Sequence, residues 1–285
     1  MIPLHWFILI LIIVLILAAT LFCLLLFCIR PNGKRLERFA PYEKKMIAHR
    51  GLFDNESEAP ENSLPAFRLA ADGGYGIELD VQMTTDGQLV VFHDGDLKRM
   101  CGGTKMLTDC SFEELQQYKL GRSQERIPLL ADVLQLIDGR VPLIVEIKSE
   151  GNWKKTTELT CRMLDSYKGL YIIESFHPFV VGWVRRNRPD VIRGQLSTDF
   201  FAEQVQRDPV SKWMLTHLLL NFESRPDFIA YNFQYADGWG YRLCRKLFKV
   251  ENVAWTIKSE ENVNRAQGIF KVLIFDSFRP GPDRK

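Results

Sequence analysis

Residues 76–94 read GIELDVQMTTDGQLVVFHD, and the way its two apolar runs are joined decides the architecture. Only a short turn-forming stretch, TTDG (84–87), lies between IELDV (77–81) and LVVFHD (89–94). Parallel strands need a crossover of a dozen or more residues, so these two runs are expected to pair as an antiparallel hairpin. Residues 82–94 then form an excursion at one end of the sheet that carries His93 back over it. Outside the hairpin, eight β-type runs remain: MIAH (46–49), IELDV (77–81), LIVEI (143–147), YIIESF (171–176), VIRGQL (191–196), FIAYNF (228–233), VAWTI (253–257) and VLIFD (272–276). Helix punctuation falls between them: Ser63 ahead of LPAFRLAA with Gly73 and Gly74 behind it, a capping box from Ser111 to Glu114, and Gly139 closing LLADVLQLID. Continuous apolar strands alternating with helices indicate a parallel sheet buried on both faces, and eight such units predict a closed (β/α)8 TIM barrel. An open doubly wound sheet is the alternative, but no GxGxxG turn follows the first run.

With 285 residues, 46% of them hydrophobic, one large core is expected. The formal net charge of +2 and the lack of a basic run interleaved with aromatics argue against a nucleic-acid partner. From Trp6 to Ile29 no residue is charged, and a helix of that length crosses a hydrocarbon layer of roughly 30 Å. A cleavable signal peptide is the rival reading, but a basic n-region is lacking and the apolar stretch exceeds the usual ~7–15 residues. Arg30, Lys34, Arg35, Arg38, Lys44 and Lys45 all follow the span while only Met1 to His5 precede it, so the body is expected on the cytoplasmic side of a single-pass cell-membrane protein. The expected division is a transmembrane anchor over 1–29, a basic juxtamembrane linker over 30–45 that can rest on anionic lipid, and a folded body over 46–285. Cys23 and Cys28 lie in the span, and Cys101, Cys110, Cys161 and Cys244 show no CxxC or disulfide spacing, which predicts free thiols.

Strand side chains alternate, so Glu78 and Asp80 point one way, as do Glu146 and Lys148 in IVEIKSE (144–150), and His49 ends the first run in IAHRG (47–51). In a barrel such groups collect at the C-terminal strand ends. Three carboxylates there would repel, each pair by about 4 kcal/mol at ~4 Å and an effective dielectric of about 20. A divalent cation relieves this, and an all-oxygen donor set favours Mg2+ or Ca2+. The bland alternative is a pair of solvated edge-strand charges. His49 and His93 can act as base and acid near neutrality; a satisfied core histidine is the plain reading of His49 alone. Arg50 beside His49 is a bidentate oxyanion donor, and Asp94 can orient His93. Together these groups describe a phosphate-ester site. His5, His177 and His217 lack such company and receive no role.

In order and spacing, HRG (49–51), PENS (60–63), ELDV (78–81), TTDGQLVVFHD (84–94) and EIK (146–148) resemble the glycerophosphodiester phosphodiesterase family. Weaker echoes are IPLLADVL (127–134), ESF (174–176), AWTI (254–257) and FDSFRP (275–280), so the likeness covers residues 46–280. The resemblance implies a TIM barrel of the phospholipase C-like phosphodiesterase type and a metal-dependent hydrolase that releases sn-glycerol 3-phosphate and an alcohol. It implies His49 and His93 as the acid–base pair, Glu78, Asp80 and Glu146 as metal ligands, and Arg50 and Lys148 on the phosphate. Glu61 would stand beside the metal or orient His49, or be a polar loop residue ahead of the Ser63 cap. Trp255 would line the alcohol pocket, or simply pack in the core. Lys258 stands where the family usually has Asn, and GIFKVLIFD (268–276) replaces the usual GVDGIITD-type ending, so substrate-side contacts are expected to differ. The expected substrate is a soluble glycerophosphodiester such as glycerophosphocholine or glycerophosphoethanolamine. A lysophospholipid cleaved on the headgroup side, in a lysophospholipase D-type reaction, is the alternative that the anchor raises. A catalytically inactive membrane-tethered scaffold and a metal-dependent lyase or aldolase are weaker readings.

Overall fold

A computed structural model describes residues 3–32 and 36–283. Lys34 and Arg35 lie outside the described residues, as does the side chain of Arg38. The strands are β1 (Met46–Ala48), β2 (Gly76–Met83), β3 (Leu89–Val91), β4 (Leu143–Ile147), β5 (Tyr171–Ser175), β6 (Arg193–Ser197), β7 (Phe228–Asn232), β8 (Glu251–Ile257) and β9 (Val272–Phe275). The α-helices are α1 (Leu4–Ile29), α2 (Leu36–Glu43), α3 (Leu64–Asp72), α4 (Lys98–Cys101), α5 (Phe112–Leu115), α6 (Leu130–Ile137), α7 (Trp153–Asp165), α8 (Pro178–Asn187), α9 (Pro209–Thr216), α10 (Asn221–Ser224), α11 (Trp239–Phe248) and α12 (Glu260–Gln267).

Sheet order is β1-β9-β8-β7-β6-β5-β4-β2, and β1 also pairs with β2, so eight parallel strands close a barrel. β3 is antiparallel to the end of β2 through Val81↔Val91, Gln82↔Val90 and Met83↔Leu89, which is the hairpin expected from TTDG. The Thr84 hydroxyl accepts from the Gln88 amide at 3.0 Å, and Gly87 supplies the positive φ of +81°. Ser63 caps α3 and the Ser111–Glu114 capping box starts α5. All six cysteines are free thiols.

The barrel interior is filled by Ile47, Ile144, Ile172, Phe228, Val253 and Val272 among others, joined by Phe39 and Tyr42 from α2. The Phe39 ring packs on Phe228 with centroids 5.4 Å apart. Phe228 fills the neighbouring space so closely that a Cβ on Gly194 would lie 2.1 Å from its ring. Part of the stretch read as a linker is therefore a helix that plugs the barrel floor. The physical reason is the i, i+3 spacing of Phe39 and Tyr42, which puts two rings on one helical face over the open end of the sheet. Phe39→Leu is expected to cost about 1–2 kcal/mol for the lost aromatic packing, read as a lower thermal midpoint.

By length and composition α1 is a candidate membrane span. Only its last turns touch the body: Ile29 is buried, its carbonyl accepts from Asn221 Nδ2 at 2.9 Å, and Phe27 stacks with Phe222 at 6.1 Å.

Candidate active site

β2, β4 and β5 are adjacent, and their register sets Asp80 beside Glu146 and Glu146 beside Glu174. Three neighbouring strands thus deliver a carboxylate at one level, and Glu78 adds a fourth from one pleat away. All four are buried. One oxygen from each of Glu78, Asp80 and Glu146 lies within 4.8 Å of the others.

Cations hold this charge together. Lys148 Nζ sits 2.8 Å from Asp80 Oδ1 and 2.9 Å from Glu146 Oε2. The Arg50 backbone amide donates to Glu78 Oε2 at 3.0 Å, and its Nε is 3.6 Å from Asp80 Oδ2. Arg50 and Gly51 take successive positive φ values of 56° and 85° just after β1, turning the chain under α3. A Cβ on Gly51 would lie 2.9 Å from the Ala66 carbonyl carbon, so the third residue of HRG answers to backbone shape and close approach. Asn62 Nδ2 donates to Asp80 Oδ2 at 2.8 Å.

Burial, with Asp80 next in importance, pushes the Glu78 carboxyl well above its ordinary range. Burial likewise raises Glu146 to about 7 despite Lys148, and raises Glu174. At Asp80 burial acts in the same upward direction but is outweighed by Lys148, His93 and Arg50, which hold it well below the usual range.

His49 Nδ1 meets Asp276 Oδ2 at 3.0 Å, and its Nε2 lies 3.9 Å from Glu78 Oε2. His93 Nδ1 meets Asp94 Oδ1 at 2.7 Å. A carboxylate on each Nδ1 favours the tautomer with the proton there, leaving Nε2 as the reactive nitrogen. Burial lowers both imidazole pKa values, helped by Arg50 at His49 and by Lys148 at His93 and opposed by the carboxylates on their Nδ1 atoms.

Arg99 ties the periphery. Its Nε donates to Asp94 Oδ2 at 2.7 Å, and its Nη1 and Nη2 donate to Glu61 Oε2 and Oε1 at 2.8 and 2.7 Å. Glu61 also accepts from Arg50 Nη1 at 2.8 Å. Against the upward effect of burial, these arginines hold Glu61 at about 2. Glu61 grips two guanidiniums, and the group that touches His49 is Asp276.

A cavity of about 360 Å3 opens over these groups, lined by His49, Arg50, His93, Glu146 and Trp255 among others. A second, of about 400 Å3, shares His93, Glu146 and Trp255 and runs past Phe176, Phe200 and Val205. Trp255 stands edge-on to Phe176 at 5.5 Å where the two meet. Lys258 lines the first cavity beside Asp276.

Residues 49–267 match the sequence profile of the glycerophosphoryl diester phosphodiesterase family. The chain belongs to this family. It is 32% identical over 176 residues to human glycerophosphodiester phosphodiesterase 1, covering 57% of this chain and 52% of that one. It is 41% identical over 112 residues to a glycerophosphodiester phosphodiesterase from Caldanaerobacter subterraneus, covering 36% and 45%. The chain spans about half the length of the curated relatives it matches. Among solved structures, an Oleispira antarctica phosphodiesterase in complex with the product sn-glycerol-3-phosphate superposes with TM-score 0.63 at 24% identity, over 82% of this chain and 92% of that one. A Silicibacter pomeroyi protein gives 0.65 at 18%, over 90% and 94%. Both share the barrel.

In this family member the structure brings His49, Arg50, Glu61, Glu78, Asp80, His93, Glu146, Lys148 and Trp255 around one mouth. Lys148 stands between two carboxylates of the cluster. Asp276 and Glu174 carry a signal in the sequence, since both stand at or beside strand C-terminal ends, within ESF and FDSFRP. Arg99 carries none.

The donor set fits a hard divalent cation, being three buried carboxylates of which two are pushed toward the protonated form, first by burial and then by their neighbours' charge. Cation binding must displace those protons. Lowering the pH from 7.5 to 5.5 is therefore expected to weaken Mg2+ or Ca2+ binding by about tenfold per unit for each displaced proton, because the Glu146 pKa near 7 lies above that of a free carboxyl. Calorimetry in buffers of different ionisation enthalpy measures the proton release; pH-independent affinity would contradict the assignment.

Proposed function

We propose that the protein hydrolyses glycerophosphodiesters to sn-glycerol 3-phosphate and an alcohol by acid–base catalysis with His49 and His93. The observation that carries this reading is that both imidazoles, each backed by a carboxylate at Nδ1, line one cavity with Glu78 and Glu146 of the acidic cluster. The activities in the names of its relatives, and the product held by the Oleispira antarctica phosphodiesterase, support it.

Glu78, Asp80 and Glu146 would hold Mg2+ or Ca2+, which when bound supplies positive charge against the phosphoryl oxygens. Arg50 and Lys148 bring further positive charge to the same phosphate, with Lys148 kept protonated by Asp80 and Glu146. One imidazole accepts the proton of the attacking oxygen, from water or from the neighbouring glycerol hydroxyl. The other, entering the step as the imidazolium, gives its Nε2 proton to the departing alkoxide as the phosphorus–oxygen bond breaks; where the glycerol hydroxyl attacks, water then opens the cyclic phosphate. Asp276 and Asp94 hold the rings so that Nε2 faces the phosphate. Trp255, with Phe176 and Phe200, lines the side that receives the alcohol. That apolar arm also favours a second substrate, a lysophospholipid whose leaving group bears an acyl chain.

Residues 1–29 act as a transmembrane anchor, 30–45 as a juxtamembrane segment, and 46–285 as the catalytic domain on the cytoplasmic face of the cell membrane. Modification of Cys101 by an impermeant thiol reagent on intact cells would overturn that orientation.

The test is a panel of glycerophosphocholine, glycerophosphoethanolamine and lysophospholipid, with glycerol 3-phosphate measured after chelation and after return of each cation. Release only with cation present is expected. No release from any diester would favour the inactive scaffold.

A further inference from the structure

Of the ten large apolar side chains that the body leaves exposed among the described residues, six lie on or just before α9, α10 and α11. Phe201, Val210, Trp213, Phe222, Trp239 and Leu247 are between 37% and 67% exposed, and contacts among α9, α10 and α11 join this flank to α1. Lys212 Nζ lies 5.7 Å over the Phe201 ring on one side of α9, and Trp213 is 6.4 Å from Trp239 of α11. Asn221 of α10 lies 3.8 Å from Cys244 Sγ of α11, and Phe222 stacks on Phe27 of α1. β7 stands opposite β2 in the ring of eight; on that far flank Leu69 of α3 is exposed, and Met106, Leu170 and Phe179 are exposed elsewhere on the body.

We propose that the α9–α10–α11 flank is a membrane-docking surface that lies on the bilayer interface. The proposal rests on α1 being a membrane span. Three observations select a bilayer as the occupant. The surface is continuous with the apolar helix, whose end is pinned to it through the Ile29 carbonyl by Asn221 and Cys244. Its tryptophans have the amphipathic form that settles at headgroup depth. Where α1 enters the body, Arg225 Nη1 donates to the carbonyls of Phe27 and Arg30 at 3.2 and 2.7 Å, with Arg30 and Arg185 beside it, which sets guanidiniums at the level of lipid phosphates.

The docking has a consequence for the site. Phe200, next to exposed Phe201, meets Phe176 edge-on at 6.1 Å, and Phe176 meets Trp255. The apolar arm of the cavity, which Glu203 and Arg207 also line, thus begins beside Phe201 at one end of the proposed surface, and docking would bring an amphiphilic diester to that end.

The test uses the full chain, with Cys23, Cys28 and Cys101 replaced by Ser, in vesicles of phosphatidylcholine and phosphatidylglycerol. An environment-sensitive fluorophore is placed at Val210→Cys, or at Leu69→Cys as the far-flank control. Docking predicts a blue shift at 210 and quenching there by lipids bearing a nitroxide near the headgroup, with the 69 label remaining water-like. Equal responses, or a water-like 210 label on vesicle-bound protein, overturn it. Shielding at 210 without lipid quenching, together with cross-linking between chains, assigns the flank to a second copy and also overturns it. Failure of the chain to float with vesicles removes the anchor reading itself, and is separable because flotation is measured first. Val210→Glu is expected to reduce lipid quenching of a label at Leu247→Cys by about twofold or more, since it places a charge on the buried face.

Discussion

His93→Ala is expected to lower kcat/KM for a glycerophosphodiester by about 10²–10⁴-fold, the usual cost of losing a general acid or base. His93 is a suitable target because its removal strands nothing. Asp94 keeps two hydrogen bonds from Arg99, at 2.7 and 3.0 Å, so the variant should melt close to the parent. Protonation of the imidazole that serves as base sets the acid limb of the wild-type pH profile, which should lie on the acid side of a free histidine because burial lowers both imidazole pKa values. His93→Ala should lose or shift that limb. His49→Ala should match it in magnitude, and a variant of either residue within about tenfold of wild type would refute the acid–base pairing.

Lys148→Met is expected to destabilise the chelated protein by about 3–5 kcal/mol, as removal of one partner from a buried ion cluster generally does. The ammonium contacts Asp80 at 2.8 Å and Glu146 at 2.9 Å, and with it gone Glu78, Asp80, Glu146 and Glu174 face Arg50 with too little positive charge. The variant also makes the cluster report on its cation. At a hundredfold excess over Kd, Mg2+ should return about 2.7 kcal/mol to whichever form binds it. Its stabilising effect should be larger in Lys148→Met than in wild type, where the lysine competes for the same oxygens. Thermal melts with EDTA and with graded Mg2+ or Ca2+ measure both. A variant as stable as wild type in EDTA would mean that the lysine offsets little of the acidic charge.

The hairpin was legible because TTDG is too short for a parallel crossover and chemically suited to a turn, and removing it leaves eight strands to be counted. The pairing of Glu78 with Asp80 was legible from strand alternation. Lateral order was not: that Asp80, Glu146 and Glu174 stand side by side follows from which strands pair and in which register, and single-strand periodicity contains neither. Glu174 lies within ESF and Asp276 within FDSFRP, yet strand position alone does not say which partners His49 and which joins the carboxylates. Arg99 sits on a four-residue helix with no periodic pattern, and its fork onto Asp94 and Glu61 exists only once two loops meet. The floor helix escaped because Arg38, Lys44 and Lys45 dominate a short segment in which two aromatic residues decide the packing.

The strand made first closes against the strand made last, since β1 pairs with β9. While the ribosome still holds the C-terminal region, the nascent protein is an incomplete sheet with two unsatisfied edges, and such edges are templates for aggregation. Premature termination anywhere before Val272 should therefore yield a product that depends on chaperones or is degraded, however intact its acidic cluster.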